Sequence, residues 1–142
     1  MGFLLDTNVL IALLDRNSPA QGAARTSLAA MLAFGEDAWL APQTIVEFWA
    51  VATKPVTSNG LGWTRDRTVS EVGRLLAMLP MLAESSELFP IWMGLFSEHS
   101  ISGKHVHDAR LAAIMLANGI PKILTFNVKD FPDRWGIAAV RP

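Results

Sequence analysis

Phe3, Leu4 and Leu5 are three consecutive apolar residues with no polar alternation, the pattern of a strand buried on both faces. Such a strand needs a layer on each side of its sheet. Trp39-Leu40-Ala41, Ile123-Leu124-Thr125-Phe126 and Ala138-Ala139-Val140 are further short runs, and Met81-Leu82-Ala83 is a weaker one. Helical patterns separate them. Val9–Asp15 reads as a short helix. Ser18-Pro19 pairs an N-cap residue with a proline suited to a first turn, opening a helix that runs to Gly35. Pro42 opens another, with Ile45, Val46, Phe48, Trp49 and Ala52 as its apolar positions, stopped at Lys54-Pro55. Val56–Trp63, holding Ser58-Asn59-Gly60 and Gly62, reads as loop. Arg65–Leu79, Ser86–His99 and His107–Asn118 follow as helices, the last closed by Gly119. Strands alternating with helices define an α/β fold around a parallel sheet.

In such sheets ligands collect at the carboxyl ends of the strands, and that gives the acidic residues a meaning. Asp6 follows the first strand directly. Asp130 lies in the loop after Ile123–Phe126. Asp108 begins a helix, where its charge suits the N-terminus. Glu47 sits inside a helix among Ile45, Val46, Phe48 and Trp49, sharing a face with Gln43, Ala50 and Val51. A carboxylate half sunk in apolar surroundings needs a partner or takes up a proton. Hard divalent cations take oxygen ligands, so several carboxylates at one strand edge suit Mg²⁺.

Other chemistries lack their residues. The chain has no cysteine, which removes disulfides, thiolate nucleophiles and cysteine-ligated metals, and it fits a cytoplasmic setting. No G-x-S-x-G elbow or P-loop is present. No apolar run is long enough to span a membrane, and the N-terminus has no signal-peptide pattern. The net charge of −1 does not itself point to nucleic acid. The 142 residues suit a single domain, and with 51% hydrophobic residues, concentrated around Leu28–Phe34 and Leu88–Phe96, some apolar surface is expected to face a partner.

Four segments together carry a family resemblance. Phe3-Leu4-Leu5-Asp6-Thr7-Asn8-Val9-Leu10 is similar to the opening of PIN-domain nucleases. Thr44-Ile45-Val46-Glu47-Phe48, His107-Asp108-Ala109-Arg110-Leu111-Ala112-Ala113 and Leu124-Thr125-Phe126-Asn127-Val128-Lys129-Asp130-Phe131 resemble their second, third and fourth motifs. The resemblance covers nearly the whole chain, and its size is most like the VapC-type toxins of toxin–antitoxin pairs. It implies a three-layer α/β/α sandwich with a central, mostly parallel sheet. It also implies Mg²⁺ or Mn²⁺ dependence, cleavage of structured or transfer RNA, homodimers and inhibition by a cognate antitoxin. Asp6, Glu47 and Asp108 match the positions of metal ligands or water-positioning groups. Relatives carry an acid where Asn127 stands; Asp130 is the acid nearby. We expect Asp130 to complete the catalytic and metal-binding set, with Thr7, Asn8, Thr125 and Asn127 supporting it.

Two other functions fit parts of the pattern. Asp6 suits a phospho-acceptor, although Asn8 replaces the second aspartate usual in haloacid-dehalogenase-like phosphatases. A PIN-like scaffold without catalysis is the other, against which stands the presence of all the expected acids. His105 and His107 straddle a helix start and read as surface or capping groups. Lys104, Lys122, Lys129, Arg65, Arg67 and Arg134 are candidates for an RNA path. Trp39 and Trp49 read as core or interface residues.

Overall fold

A computed structural model describes residues 2–142. Its strands are β1 (Gly2–Leu5), β2 (Asp37–Trp39), β3 (Lys122–Leu124) and β4 (Ala138–Val140). Its helices are α1 (Thr7–Leu14), α2 (Gln21–Ala33), α3 (Pro42–Thr53), α4 (Arg65–Met78), α5 (Leu88–Glu98) and α6 (His105–Asn118). The strands form one parallel sheet in the order β2-β1-β3-β4, with Leu4 opposite both Trp39 and Ile123.

Alternation along β1 divides the core. Leu4 and Ile123 join a cluster with Leu95, Leu111 and Met115 of α5 and α6. Phe3, Leu5 and Leu124 join Leu10, Phe48 and Val72 of α1, α3 and α4 on the other face. The result is the three-layer α/β/α sandwich expected. Phe3, Leu5 and Phe48 are fully buried, each worth about 1.5–3 kcal/mol of transfer free energy. Trp39 and Trp49 pack as partly buried residues against the two clusters.

Several boundaries differ from the sequence reading, for local reasons. α1 starts at Thr7 rather than Val9 because Asp6 caps it. Ser18 is not the N-cap of α2: its hydroxyl accepts from Ala20 N at 3.2 Å, and the helix opens at Gln21. β2 ends at Trp39, since Pro42 already begins α3. Met81–Ala83 is no strand; Met81 makes a single bridge to Leu40. β3 spans Lys122–Leu124 rather than Ile123–Phe126, the chain leaving the sheet where Thr125 turns to Asp6. α6 begins at His105, two residues early, and ends at Gly119 in the left-handed region, φ 68°. Among the described residues no helix is long and apolar enough to cross a membrane.

Candidate active site

β1 and β3 are the central strands, and the connections from β1 to β2 and from β3 to β4 lead away in opposite directions along the sheet. The crevice at their carboxyl ends is therefore a topological switch point. Asp6 stands there, only 8% exposed. Its Oδ1 accepts from Thr7 N and its Oδ2 from the Thr125 hydroxyl, each at 2.7 Å. Asn8 ties the same two loops together. Its Nδ2 donates to Thr125 Oγ1 at 3.3 Å, and its Oδ1 accepts from Phe126 N at 3.2 Å. Asn127 N donates to the same threonine oxygen at 3.0 Å. The Thr125 hydroxyl thus donates once and accepts twice.

Glu47 comes from α3 and is half-buried. Its Oε2 accepts from the Thr7 hydroxyl at 2.7 Å and its Oε1 from Gln43 Nε2 at 3.0 Å. Gln43 is itself held: its Nε2 reaches His107 O at 2.9 Å, and its Oε1 accepts from Arg110 at 2.9 Å. Arg110 in turn pairs with Glu84 at 3.1 Å. Neutral donors therefore orient Glu47 and leave its charge uncompensated.

Asp108, in the first turn of α6, lies between two neighbours. His105 Nδ1 is 3.3 Å from its Oδ2. Ligand atoms of His105, Asp108 and Asp130 all fall within 4.8 Å of one another. Lys104 Nζ is 3.7 Å from Asp130 Oδ1. Burial raises the Asp6 pKa to about 6 against the opposing hydrogen bonds from Thr125 and Thr7, and the charges of Glu47 and Asp108 add to the rise. Burial likewise raises Asp108, with Asp130 adding to it and His105 and Lys104 opposing. Asp6 thus senses Glu47 and Asp108, and Asp108 senses Asp130. By geometry the four candidate acids fall in two loci, Asp6 with Glu47 through Thr7, and Asp108 with Asp130 and His105, and the charge of Asp108 acts on Asp6 between them. Burial first, and neighbouring charge second, disfavour ionisation of Asp6 and Asp108, and hard oxygen donors so placed fit a divalent cation.

The structure separates the candidate basic residues. Lys104 and Lys129 line a cavity of about 290 Å³ with Asn127 and Asp130, and Arg134 lies near Asp130 on the adjoining surface. Lys122 is paired with Glu36. Arg67 covers the Trp63 ring at 4.1 Å and lines a different cavity from Lys104 and Lys129. Arg141, which sequence reasoning missed, joins the first group and donates to Phe126 O at 2.7 Å. Gln43, Arg110 and Glu84 were also missed as a linked set. Only the i to i+4 spacing of Gln43 and Glu47 was a usable signal.

A family model described as PIN domain matches residues 3–134. No curated protein matches the chain in sequence. Solved structures do match in fold. A chain of VapBC2 from Rickettsia felis, bound to a DNA fragment from their promoter, is 16% identical with a TM-score of 0.76, covering 100% of this chain and 99% of that one. A chain of VapBC-1 from nontypeable Haemophilus influenzae is 20% identical with a TM-score of 0.68, covering 99% and 98%. Mycobacterium tuberculosis VapC20, described as a sarcin-ricin loop cleaving toxin, is 17% identical with a TM-score of 0.66, covering 99% of each.

Proposed function

The chain belongs to the PIN domain family, and from that premise we propose that it is a divalent-metal-dependent endoribonuclease, the toxin of a toxin–antitoxin pair. The observation that carries this reading is the buried Asp6 at the switch point of the sheet, linked through Thr7 to Glu47, together with the close approach of Asp108 and Asp130. Asp6, Glu47, Asp108 and Asp130 are the residues that would hold Mg²⁺ or Mn²⁺. Such an ion, when bound, supplies Lewis acidity toward water and the scissile phosphate. The protein's own part is positioning. Thr7 and Gln43 fix both oxygens of Glu47, and Thr125 and the Thr7 amide fix both oxygens of Asp6. Lys104, Lys129 and Arg141 offer positive charge to the flanking RNA backbone.

Structured RNA is the favoured substrate, by analogy with the sarcin-ricin loop cleaved by VapC20. The test is cleavage of a structured RNA panel with Mg²⁺ or Mn²⁺ and with EDTA. Cleavage that EDTA abolishes is expected; no cleavage under any metal, with folded protein, refutes the nuclease and favours a scaffold. Millimolar Mg²⁺ or Mn²⁺ is also expected to raise Tm. Saturation at a hundredfold excess over Kd is worth about 2.7 kcal/mol. An unchanged melting curve counts against the metal site.

Partners follow from the surface. Leu14, Leu28 and Leu75 line a cavity of about 420 Å³ together with Arg16, Arg25, Arg67 and Arg74, whose charge exceeds that of the one acid there, Glu71, paired with Arg74. An amphipathic, acidic antitoxin segment suits that lining. Phe34 is 89% exposed and Phe89 62% exposed, which supports a homodimer that covers apolar surface. Light scattering at micromolar concentration is expected to give a dimer mass, and a strict monomer contradicts it. We place the protein in the cytoplasm, where its RNA would be.

A further inference from the structure

We propose that His105 is a metal ligand that joins Asp108 and Asp130 to make a one-nitrogen, two-carboxylate donor set, and that this set favours first-row transition cations over Mg²⁺. The proposal rests on the metal-site reading above and adds to it the identity of a ligand and the preference that ligand imposes.

Because α6 opens at His105, Asp108 is three residues further on, and both side chains rise from one helical turn. Asp130 reaches the same point from the short helix after β3, across 22 residues of chain. Ions of this class sit about 2.1 Å from nitrogen and oxygen donors, which places adjacent donors about 3 Å apart and opposite donors about 4.2 Å apart. The 3.3 Å between His105 Nδ1 and Asp108 Oδ2 is an ion-pair distance, and it is already close to the separation of adjacent donors. Ligand atoms of all three lie within 4.8 Å of one another, so small side-chain shifts bring them within one coordination sphere. The set is open to solvent, with the His105 side chain 46% exposed and that of Asp108 21%. Lys104, 75% exposed and 3.7 Å from Asp130, is a loosely held counter-charge that a cation would displace.

Donor chemistry supplies the preference. Mg²⁺ takes oxygen and keeps its waters, whereas imidazole suits transition ions, whose affinity for such sites rises from Mn²⁺ through Co²⁺ and Ni²⁺. A nitrogen donor beside two carboxylates therefore separates Co²⁺ from Mg²⁺ more than carboxylates alone. The rival role for His105 is that of an imidazolium balancing Asp108, and it reverses the sign of the effect. Removing a positive charge tightens binding of every cation, while removing a ligand weakens binding of the cation that used it.

The experiment is calorimetric titration of the metal-free, RNA-free full chain with Co²⁺ and with Mg²⁺, for wild type, His105→Ala and His105→Lys. Wild type is expected to bind Co²⁺ more tightly than Mg²⁺. Both variants should lose at least tenfold in Co²⁺ affinity, since even outer partners of metal ligands carry tenfold to hundredfold, and His105→Ala should change Mg²⁺ affinity little. The Co²⁺ absorption bands should change with the loss of nitrogen. The His105 side chain is 46% exposed and its pairing with Asp108 is a surface one of small worth, so metal-free melting is expected to stay near wild type, a check that both variants are folded. Equal tightening of both ions in His105→Ala, or wild-type behaviour in His105→Lys, overturns the proposal while leaving the carboxylate site intact. A wild-type chain that binds neither ion overturns the metal-site reading and this inference with it.

Discussion

Asp6→Asn is expected to abolish metal-dependent RNA cleavage and, in the metal-free protein at about pH 8, to raise Tm. The catalytic loss should be on the order of a thousandfold or more, about 4 kcal/mol of transition-state stabilisation, because the amide brings no charge to the cation. The stability gain comes from the same burial. Asp6 has its folded-state pKa raised from 3.8 to about 6. A raised carboxyl pKa means that the native state binds more protons than the unfolded one. Stability therefore falls as pH rises from about 4 to about 6 and stays reduced above that. The shift corresponds to about 3 kcal/mol at full effect. Asparagine removes that cost but offers one acceptor where Thr7 N–H and the Thr125 hydroxyl now use two, a loss of about 1 kcal/mol. The net gain of about 2 kcal/mol should appear as several degrees at about pH 8 and vanish or reverse near pH 4. Added Mg²⁺ should then raise wild type and leave the variant behind. Retained cleavage, or a variant that melts below wild type at about pH 8 without metal, refutes this account of Asp6.

The second large effect separates Asp130 from Asn127. Asp130→Ala is expected to weaken metal binding and slow cleavage by on the order of a hundredfold, and Asn127→Ala by much less. Asp130 approaches Asp108 and His105 within 4.8 Å and adds to the pKa rise of Asp108. Phe131 beside it is 2% exposed and anchors the turn, so the carboxylate is held in place. Asn127 enters the hydrogen-bond network through its backbone N–H, which alanine keeps. Single-turnover cleavage with both variants folded decides it. The opposite ranking would make Asn127 the fourth position.

Much of this was legible in the chain itself, because its clearest signals are local. An apolar run ending in aspartate marks β1 and its site edge, and a glutamate among aromatic and branched residues marks α3 and its half-buried carboxylate. What escaped is non-local or one turn off. Ser18 looked like an N-cap because the sequence does not show that its hydroxyl serves Ala20 instead. Pro42 offered a helix start but did not reveal that it would cut β2 short. The link from Glu84 through Arg110 and Gln43 to Glu47 joins three segments that only the tertiary fold brings together. A two-residue error at the start of α6 also hid a relation, since it kept His105 off the helical turn of Asp108 and made it look like a cap.

The pairing of β1 with β3 sets Phe3 beside Lys122, and Thr125 completes the surroundings of Asp6 from 119 residues away. During synthesis Asp6, the first candidate acid, therefore leaves the ribosome long before its hydroxyl partner does. A nascent chain that has not yet released β3 has no switch point, no hydrogen bond to Asp6 Oδ2 and no neighbouring Asp130. The long sequence separation makes the site late to form, since loop-closure entropy must be met before these distant segments can pair. Products truncated before Thr125 would lack the completed surroundings of Asp6, and the proposed nuclease activity would depend on β3 having emerged and paired with β1.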